Sequence, residues 1–261
     1  MYLYMKMSLS TIVIEGITNR RRGRPFPKSL HGMCYELAGR EYEHIHNKPP
    51  AFQPSIRKWE AVKGGTNIEI EIRITEDEFY NHVMERLMKS NYLIVGSTEF
   101  EIIKFEGKKD VVLNFDEKVP SVPEVFKLNF ATPTFFRKRK ESEGGGYYYV
   151  TIPEPNMKNV LHSISKYLQR RTGFKTSFEL IDSIANKIHV IHKEAKRTNV
   201  IATQTYSKEK AFLGHMVLDT TALDEEEADM FGKLIKIGSY SGVGHQKGFG
   251  FGKLQIERYD E

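Results

Sequence analysis

Ile68, Ile70, Ile72 and Ile74 alternate with Glu69, Glu71 and Arg73. Successive side chains of a strand point to opposite faces, so this run buries one face and leaves the other in water. The segment from Thr66 to Ile74 therefore predicts a one-sided strand. Lys63-Gly64-Gly65 joins it to a second strand over 52–62, as a hairpin.

Around this pair the chain alternates between the two hydrophobic periods. A β-branched run from Ser10 to Ile17 predicts the first strand. From Pro27 to His46 the period becomes helical. Leu30, Cys34, Leu37, Ala38 and Ile45 form a core stripe, and His31, Tyr35, Tyr42 and His46 a second stripe beside it. Gly39 is a break point that leaves His46 on the helix or on the loop after it. Thr75 with Glu78 predicts a capping box ahead of a helix carrying Phe79, Val83 and Leu87. Residues 92–105 read as a strand with a bend at Gly96, and 104–115 as its continuation through a hairpin at Gly107. The order is β-α-β-β-α-β, the ferredoxin-like unit. Asp116 to Pro123 is polar and proline-containing, a domain boundary.

The order then repeats. A strand over 124–136 is followed by a loop holding Arg137, Lys138, Arg139, Lys140 and Gly144-Gly145-Gly146. Helices follow over 156–168 and 178–185, then strands over 187–206 and 211–218. A helix over 223–237 opens on four acidic residues, and a strand over 251–259 closes the chain. The expected fold class is α+β: two tandem ferredoxin-like (RRM-like, βαββαβ) domains, 1–118 and 119–261.

Between the last helix and last strand lies the stretch Gly238 to Lys253, with glycines at 238, 242, 244, 248, 250 and 252. Phe249, Phe251, Lys247 and Lys253 are interleaved with them. Glycine permits positive φ and close backbone approach, which suits a loop holding a polyanion on its amides. The stretch enters a strand rather than a helix, so it is not a dinucleotide fingerprint, and it lacks the Gly-Lys-Ser/Thr ending of a P-loop.

The net charge of +5 and four basic clusters point toward nucleic acid: Arg20-Arg21-Arg22 with Arg24, Arg137 to Lys140, Lys166 with Arg170 and Arg171, and Lys193 with Lys196 and Arg197. The single cysteine, Cys34, allows neither an internal disulfide nor a thiolate zinc cluster, and fits a reducing cytoplasm. No apolar run approaches the roughly 20 residues of a membrane span. His189 and His192, three apart on a strand, are expected on opposite faces. With neither HExxH nor CxxC in the chain, no metal and no cofactor is expected.

Three features together resemble the CRISPR-associated endoribonucleases that process precursor CRISPR RNA, within the repeat-associated mysterious protein superfamily. They are the glycine stretch, the segment from Pro27 through Tyr35 to His46, and Ala131-Thr132-Pro133-Thr134. The resemblance implies tandem ferredoxin-like domains and metal-independent RNA cleavage, in which a 2′-OH attacks the adjacent phosphate to leave 2′,3′-cyclic phosphate and 5′-OH ends. It implies the histidine role for His46 (with His44 as rival), the tyrosine role for Tyr35, and the lysine role for Lys48, with Lys58 as fallback. It implies RNA contacts at Arg20, Arg21, Arg22, Arg24, Arg137, Lys138, Arg139, Gly242, Gly244, Lys247, Gly248, Gly250 and Gly252. The implied partners are single-stranded or hairpin CRISPR repeat RNA and other CRISPR-associated proteins, with a monomer or a homodimer both open. The competing reading is a non-catalytic RNA-binding subunit of a CRISPR ribonucleoprotein, which shares fold and loop.

Overall fold

The computed structural model describes residues 6–19, 27–39, 49–118, 122–201 and 208–259. These residues form a mixed α+β fold with five helices and three antiparallel sheets. The chain divides into two compact units: residues 1–117 with 248–250, and residues 118–247 with 251–261.

The first unit runs β1 (Lys6–Thr18), α1 (Pro27–Ala38), β2 (Phe52–Val62), β3 (Gly65–Ile74), α2 (Asp77–Lys89), β4 (Tyr92–Val95) and β5 (Thr98–Asn114). Its sheet has the order β2-β3-β1-β5-β4, every neighbouring pair antiparallel. The alternating isoleucines lie in β3, and all four are buried. Each such side chain contributes roughly 2 kcal/mol of burial. They pack with Leu30, Met33, Cys34 and Leu37 of α1 and with Phe79, Val83 and Leu87 of α2. The helix α1 stops at Gly39, whose φ of 96° is open to glycine and whose amide donates to the Tyr35 carbonyl.

Two local expectations are revised here. The turn of the β4–β5 hairpin is at Gly96, with φ 65°, while β5 runs uninterrupted through Gly107. Gly107 serves packing instead: an added Cβ there would lie 2.5 Å from both the Met84 sulfur and the Tyr80 hydroxyl of α2. The second concerns the start of α2. Its N-cap is Glu76, with no side-chain cap. The Thr75 hydroxyl donates instead to the Ala51 carbonyl, a buried contact between chain segments that outcompetes the local cap.

The second unit runs β6 (Val125–Thr134), β7 (Phe136–Glu141), β8 (Tyr147–Ile152), α3 (Met157–Thr172), α4 (Phe178–Lys187), β9 (His189–Ile201), β10 (Lys208–Asp219), α5 (Glu225–Ser241) and β11 (Leu254–Arg258). The four-stranded sheet has the order β11-β6-β10-β9, again antiparallel throughout. Phe126, Leu128, Phe130, Met216 and Leu218 are buried on one face, as are the inner sides of α3 and α5. The helix α5 opens on a capping box in which Asp224 and Glu227 satisfy each other's backbone amides.

The segment expected as a loop after the first strand of this unit is ordered. Arg137 to Glu141 pair residue for residue with Tyr147 to Thr151 in the β7–β8 ribbon. The turn is closed by Ser142 and Gly146, and Gly145 takes φ 78°. Basic and glycine-rich composition resembled a loop, whereas cross-strand pairing decided the outcome.

Candidate functional site

The glycine stretch is held at its flanks by the Ala131–Thr134 end of β6. Gly242, at the C-terminus of α5, has φ 69° and donates to the Gly238 carbonyl. The Gly244 amide donates to Ser163 Oγ at 2.8 Å, and the His245 amide to the Phe135 carbonyl at 2.9 Å. On the return side, Gly252 N–H donates to the Pro133 carbonyl at 3.0 Å and Lys253 N–H to Thr132 Oγ1 at 2.9 Å. Val243 N–H closes the loop onto the Gly252 carbonyl. Only glycine fits at two of these points. An added Cβ on Gly252 (φ 71°) would sit 1.8 Å from the Val243 carbonyl oxygen, and one on Gly244 (φ 80°) 2.4 Å from that of Phe135. The two sequence signals that lie far apart in the chain are therefore one structural unit. The amides of 243, 244, 245, 252 and 253 serve the fold, so at the flanks a ligand would meet side chains and shape.

Two titratable side chains of this stretch, His245 and Lys247, are strongly shifted. The His245 ring lies 5.6 Å from that of Phe135. Burial first, and then the nearby Arg137 charge, pushes its pKa down to about 4 against the opposing pull of Glu209. Arg137 donates to Glu209 at 2.7 Å, and Thr151 Oγ1 donates to the other oxygen of the same carboxylate at 2.5 Å. Lys247 places its ammonium 4.2 Å from the centroid of the Tyr167 ring. Burial, with Arg170 nearby, pushes its pKa down to about 7.

The crest of the stretch, Gly248–Gly250, groups with the first unit. There His31 Nδ1 lies 3.0 Å from the Gly248 carbonyl oxygen. A carbonyl can only accept, so the proton is on Nδ1, and Nε2 is the basic nitrogen of the neutral ring. Burial holds the His31 pKa below its ordinary value, and the Gly248 bond opposes this. The His31 ring lies 4.3 Å from Phe249, 4.9 Å from Tyr35 and 5.4 Å from Phe52, with Tyr35 edge-on. His31 and Tyr35 are one helical turn apart on α1, which brings them onto the same face. A Cβ on Gly248 would meet Pro50 at 2.6 Å and His31 Nδ1 at 3.0 Å.

Of the expected catalytic set, Tyr35 is in this cluster of rings. His46 and Lys48, with the rival His44, lie outside the described residues, as do Arg20, Arg21, Arg22 and Arg24. The fallback Lys58 is exposed on β2 and ion-paired with Glu60 at 2.8 Å. Lys138 and Arg139 are exposed on β7. The Arg139 guanidinium stacks 3.3 Å from the Tyr147 ring centroid. Tyr147, Tyr148 and Tyr149, exposed on β8 opposite this basic strand, were missed as functional candidates. Three consecutive tyrosines after a glycine turn were a usable signal. His31 was also missed as a partner of the loop, because its contact with Gly248 has no local sequence signature.

The family model of the CRISPR-associated endoribonuclease Cas6 matches residues 128–254, from β6 to the start of β11. A Cas6 product complex is similar in structure over 97% of this chain and 100% of its own, with TM-score 0.70 and 23% identity. A Cas6 substrate-mimic complex matches over 96% and 100%, with TM-score 0.68 and 23% identity. A Cas6-related protein from Pyrococcus furiosus matches over 97% and 100%, with TM-score 0.65 and 16% identity. No curated protein sequence matches the chain. Residues 128–254 thus match the Cas6 family model, and nearly the whole chain shares the fold of solved Cas6 proteins. No helix among the described residues is long and apolar enough to cross a membrane.

Proposed function

We propose that this protein cuts CRISPR repeat RNA without a metal, by attack of a 2′-OH on the adjacent phosphate, giving 2′,3′-cyclic phosphate and 5′-OH ends. His46 exchanges protons with the reacting oxygens, Tyr35 orients or donates at the phosphate, and Lys48 stabilises the charge that develops there. The chain is read as two tandem ferredoxin-like domains, 1–118 and 119–261, working in the reducing cytoplasm. The strand order of the second sheet supports this reading, since β11-β6-β10-β9 is the 4-1-3-2 order of a βαββαβ unit. In the first sheet β5 takes the fourth-strand place and β4 is added at the edge.

The observation that carries the proposal is the anchoring of the glycine stretch on Ala131–Thr134, inside the segment that matches the Cas6 family. The tyrosine of the implied catalytic set stands in the ring cluster that meets the crest of that stretch. Support for RNA comes from Arg139 and Lys140 of β7 paired with the exposed Tyr149 and Tyr148 of β8, next to the exposed Tyr147, since base–aromatic stacking contributes roughly 1–3 kcal/mol per base. It comes also from relatives solved as substrate-mimic and product complexes. The glycine-stretch residues 242, 244, 247, 248, 250 and 252 and Arg137, Lys138 and Arg139 form the proposed contact set, together with Arg20, Arg21, Arg22 and Arg24.

Incubating the protein with repeat RNA in EDTA should yield a cyclic-phosphate product. The His46→Ala variant should bind as wild type and cleave about 10²- to 10⁴-fold more slowly. A 2′-deoxy substitution at the scissile nucleotide should block cutting and spare binding. Binding without cleavage by wild type would overturn catalysis and leave the RNA-binding subunit as the reading.

A further inference from the structure

On the second sheet, His192, Glu194 and His215 bring one imidazole nitrogen, one carboxylate oxygen and a second imidazole nitrogen within 4.8 Å of one another. The register explains how. Glu194 of β9 lies directly opposite His215 of β10, and His192 opposite Val217. Directly opposed residues, and residues two apart on a strand, share a face, so all three side chains emerge together. The same register puts His215 opposite Asn129 of β6, on the face away from the buried Leu128 and Met216.

Two irregularities flank the group. The β9–β10 register slips at Val217/Leu218, so Ile191 is an extra residue on the edge strand beside His192. A bulge of this kind re-aims the neighbouring side chain. It also removes the strict alternation that set His189 and His192 on opposite faces: they now oppose Asp219 and Val217, positions of like parity on β10. On the other side, Gly214 takes φ 148°, and an added Cβ would lie 2.0 Å from the Glu194 carbonyl oxygen. Glycine at this point lets the β9 backbone close on β10 beside His215.

The donors are loosely joined to one another. His215 Nδ1 and Glu194 Oε2 are 3.8 Å apart, longer than a hydrogen bond, and the two imidazole centroids are 5.5 Å apart. Two ligand atoms on a tetrahedral zinc ion sit about 3.3 Å apart, so modest rotation of the exposed His192 and Glu194 side chains toward the half-buried His215 closes the set. Two imidazoles with one carboxylate suit zinc, nickel or copper(II). They do not suit magnesium or calcium, which take oxygen ligands.

We propose that His192, Glu194 and His215 form a surface site for one zinc-class divalent ion, with its remaining coordination positions open to solvent. The ion clips the edge strand β9 to β10. The site is separate from the proposed cleavage chemistry, and its test uses no RNA.

Full-length protein freed of metal should bind one equivalent of zinc in a chelator-competition titration. Its Tm should rise with zinc concentration, because an ion held by the native state alone stabilises it. Cobalt(II) should give a visible ligand-field band that zinc displaces. His192→Ala and Glu194→Gln, both at exposed positions, should each weaken binding roughly tenfold or more. His162→Ala, which removes the histidine paired with Asp182 at 2.9 Å, should leave it unchanged. Absence of saturable zinc binding by wild type overturns the proposal. So does affinity unaltered in both His192→Ala and Glu194→Gln, or binding lost in His162→Ala.

Discussion

The flanks and the crest of the glycine stretch use the same residue for different reasons. At the flanks, Gly244 and Gly252 combine positive φ with backbone carbonyls where a Cβ would have to be. At the crest, Gly248 meets the side chains of Pro50 and His31. A backbone obstacle cannot move without breaking the hydrogen bonds that fasten the loop to β6, whereas a side-chain obstacle can shift by rotation. The flanks are therefore intolerant of substitution, and the crest yields at Gly248 but not at Gly250, where φ is 86° and a Cβ would lie 2.6 Å from the Pro54 carbonyl oxygen.

The comparison can be broken most sharply at Gly252. Gly252→Ala should cost about 3 kcal/mol or more, from left-handed strain plus displaced hydrogen bonds, read as a lower urea midpoint. Gly248→Ala should cost less, about 1 kcal/mol, since Pro50 and His31 can adjust. Equal losses for the two would remove the distinction between flank and crest.

A pH-dependent effect belongs to the histidines on either side of that comparison. Both His31 and His245 have folded pKa values below the unfolded one. The unfolded chain therefore binds more protons as pH falls below about 6.5, and stability is lost in that direction. For His245 the loss should continue down to about pH 4, where the folded ring itself takes up its proton. His245→Gln should flatten the decline in urea midpoint between pH 6.5 and 4. His31→Asn, which keeps a donor toward Gly248, should flatten it less, because only the burial of His31 resists its charge. An identical pH profile for wild type and His245→Gln would refute this account of His245.

Legibility followed the range of the deciding interaction. The isoleucine alternation of β3, the core stripe of α1 and the acidic start of α5 all rest on neighbours within one element, and each reads directly from the residues. The β7–β8 ribbon did not, because its glycine turn and basic run resemble a loop until Tyr147–Thr151 pair with Arg137–Glu141. Nor could local pattern choose Gly96 over Gly107 as the hairpin turn. One glycine is needed for its φ and the other for the approach of Met84 and Tyr80. Thr75 shows the same limit, since its hydroxyl found the Ala51 carbonyl, 24 residues away, in place of its own helix.

By itself, the sequence determined the α+β class, the positions of most helices and strands, and the three motifs that point to the Cas6 family, because periodicity and glycine placement act locally. Tertiary structure alone decided what the glycine stretch touches. Its flanking amides go to Pro133, Phe135, Thr132 and Ser163, and its crest goes to His31. It alone set Glu194 opposite His215, with His192 beside them. Such meetings depend on strand register and on closing long stretches of chain, which the spacing of residues along the sequence does not encode.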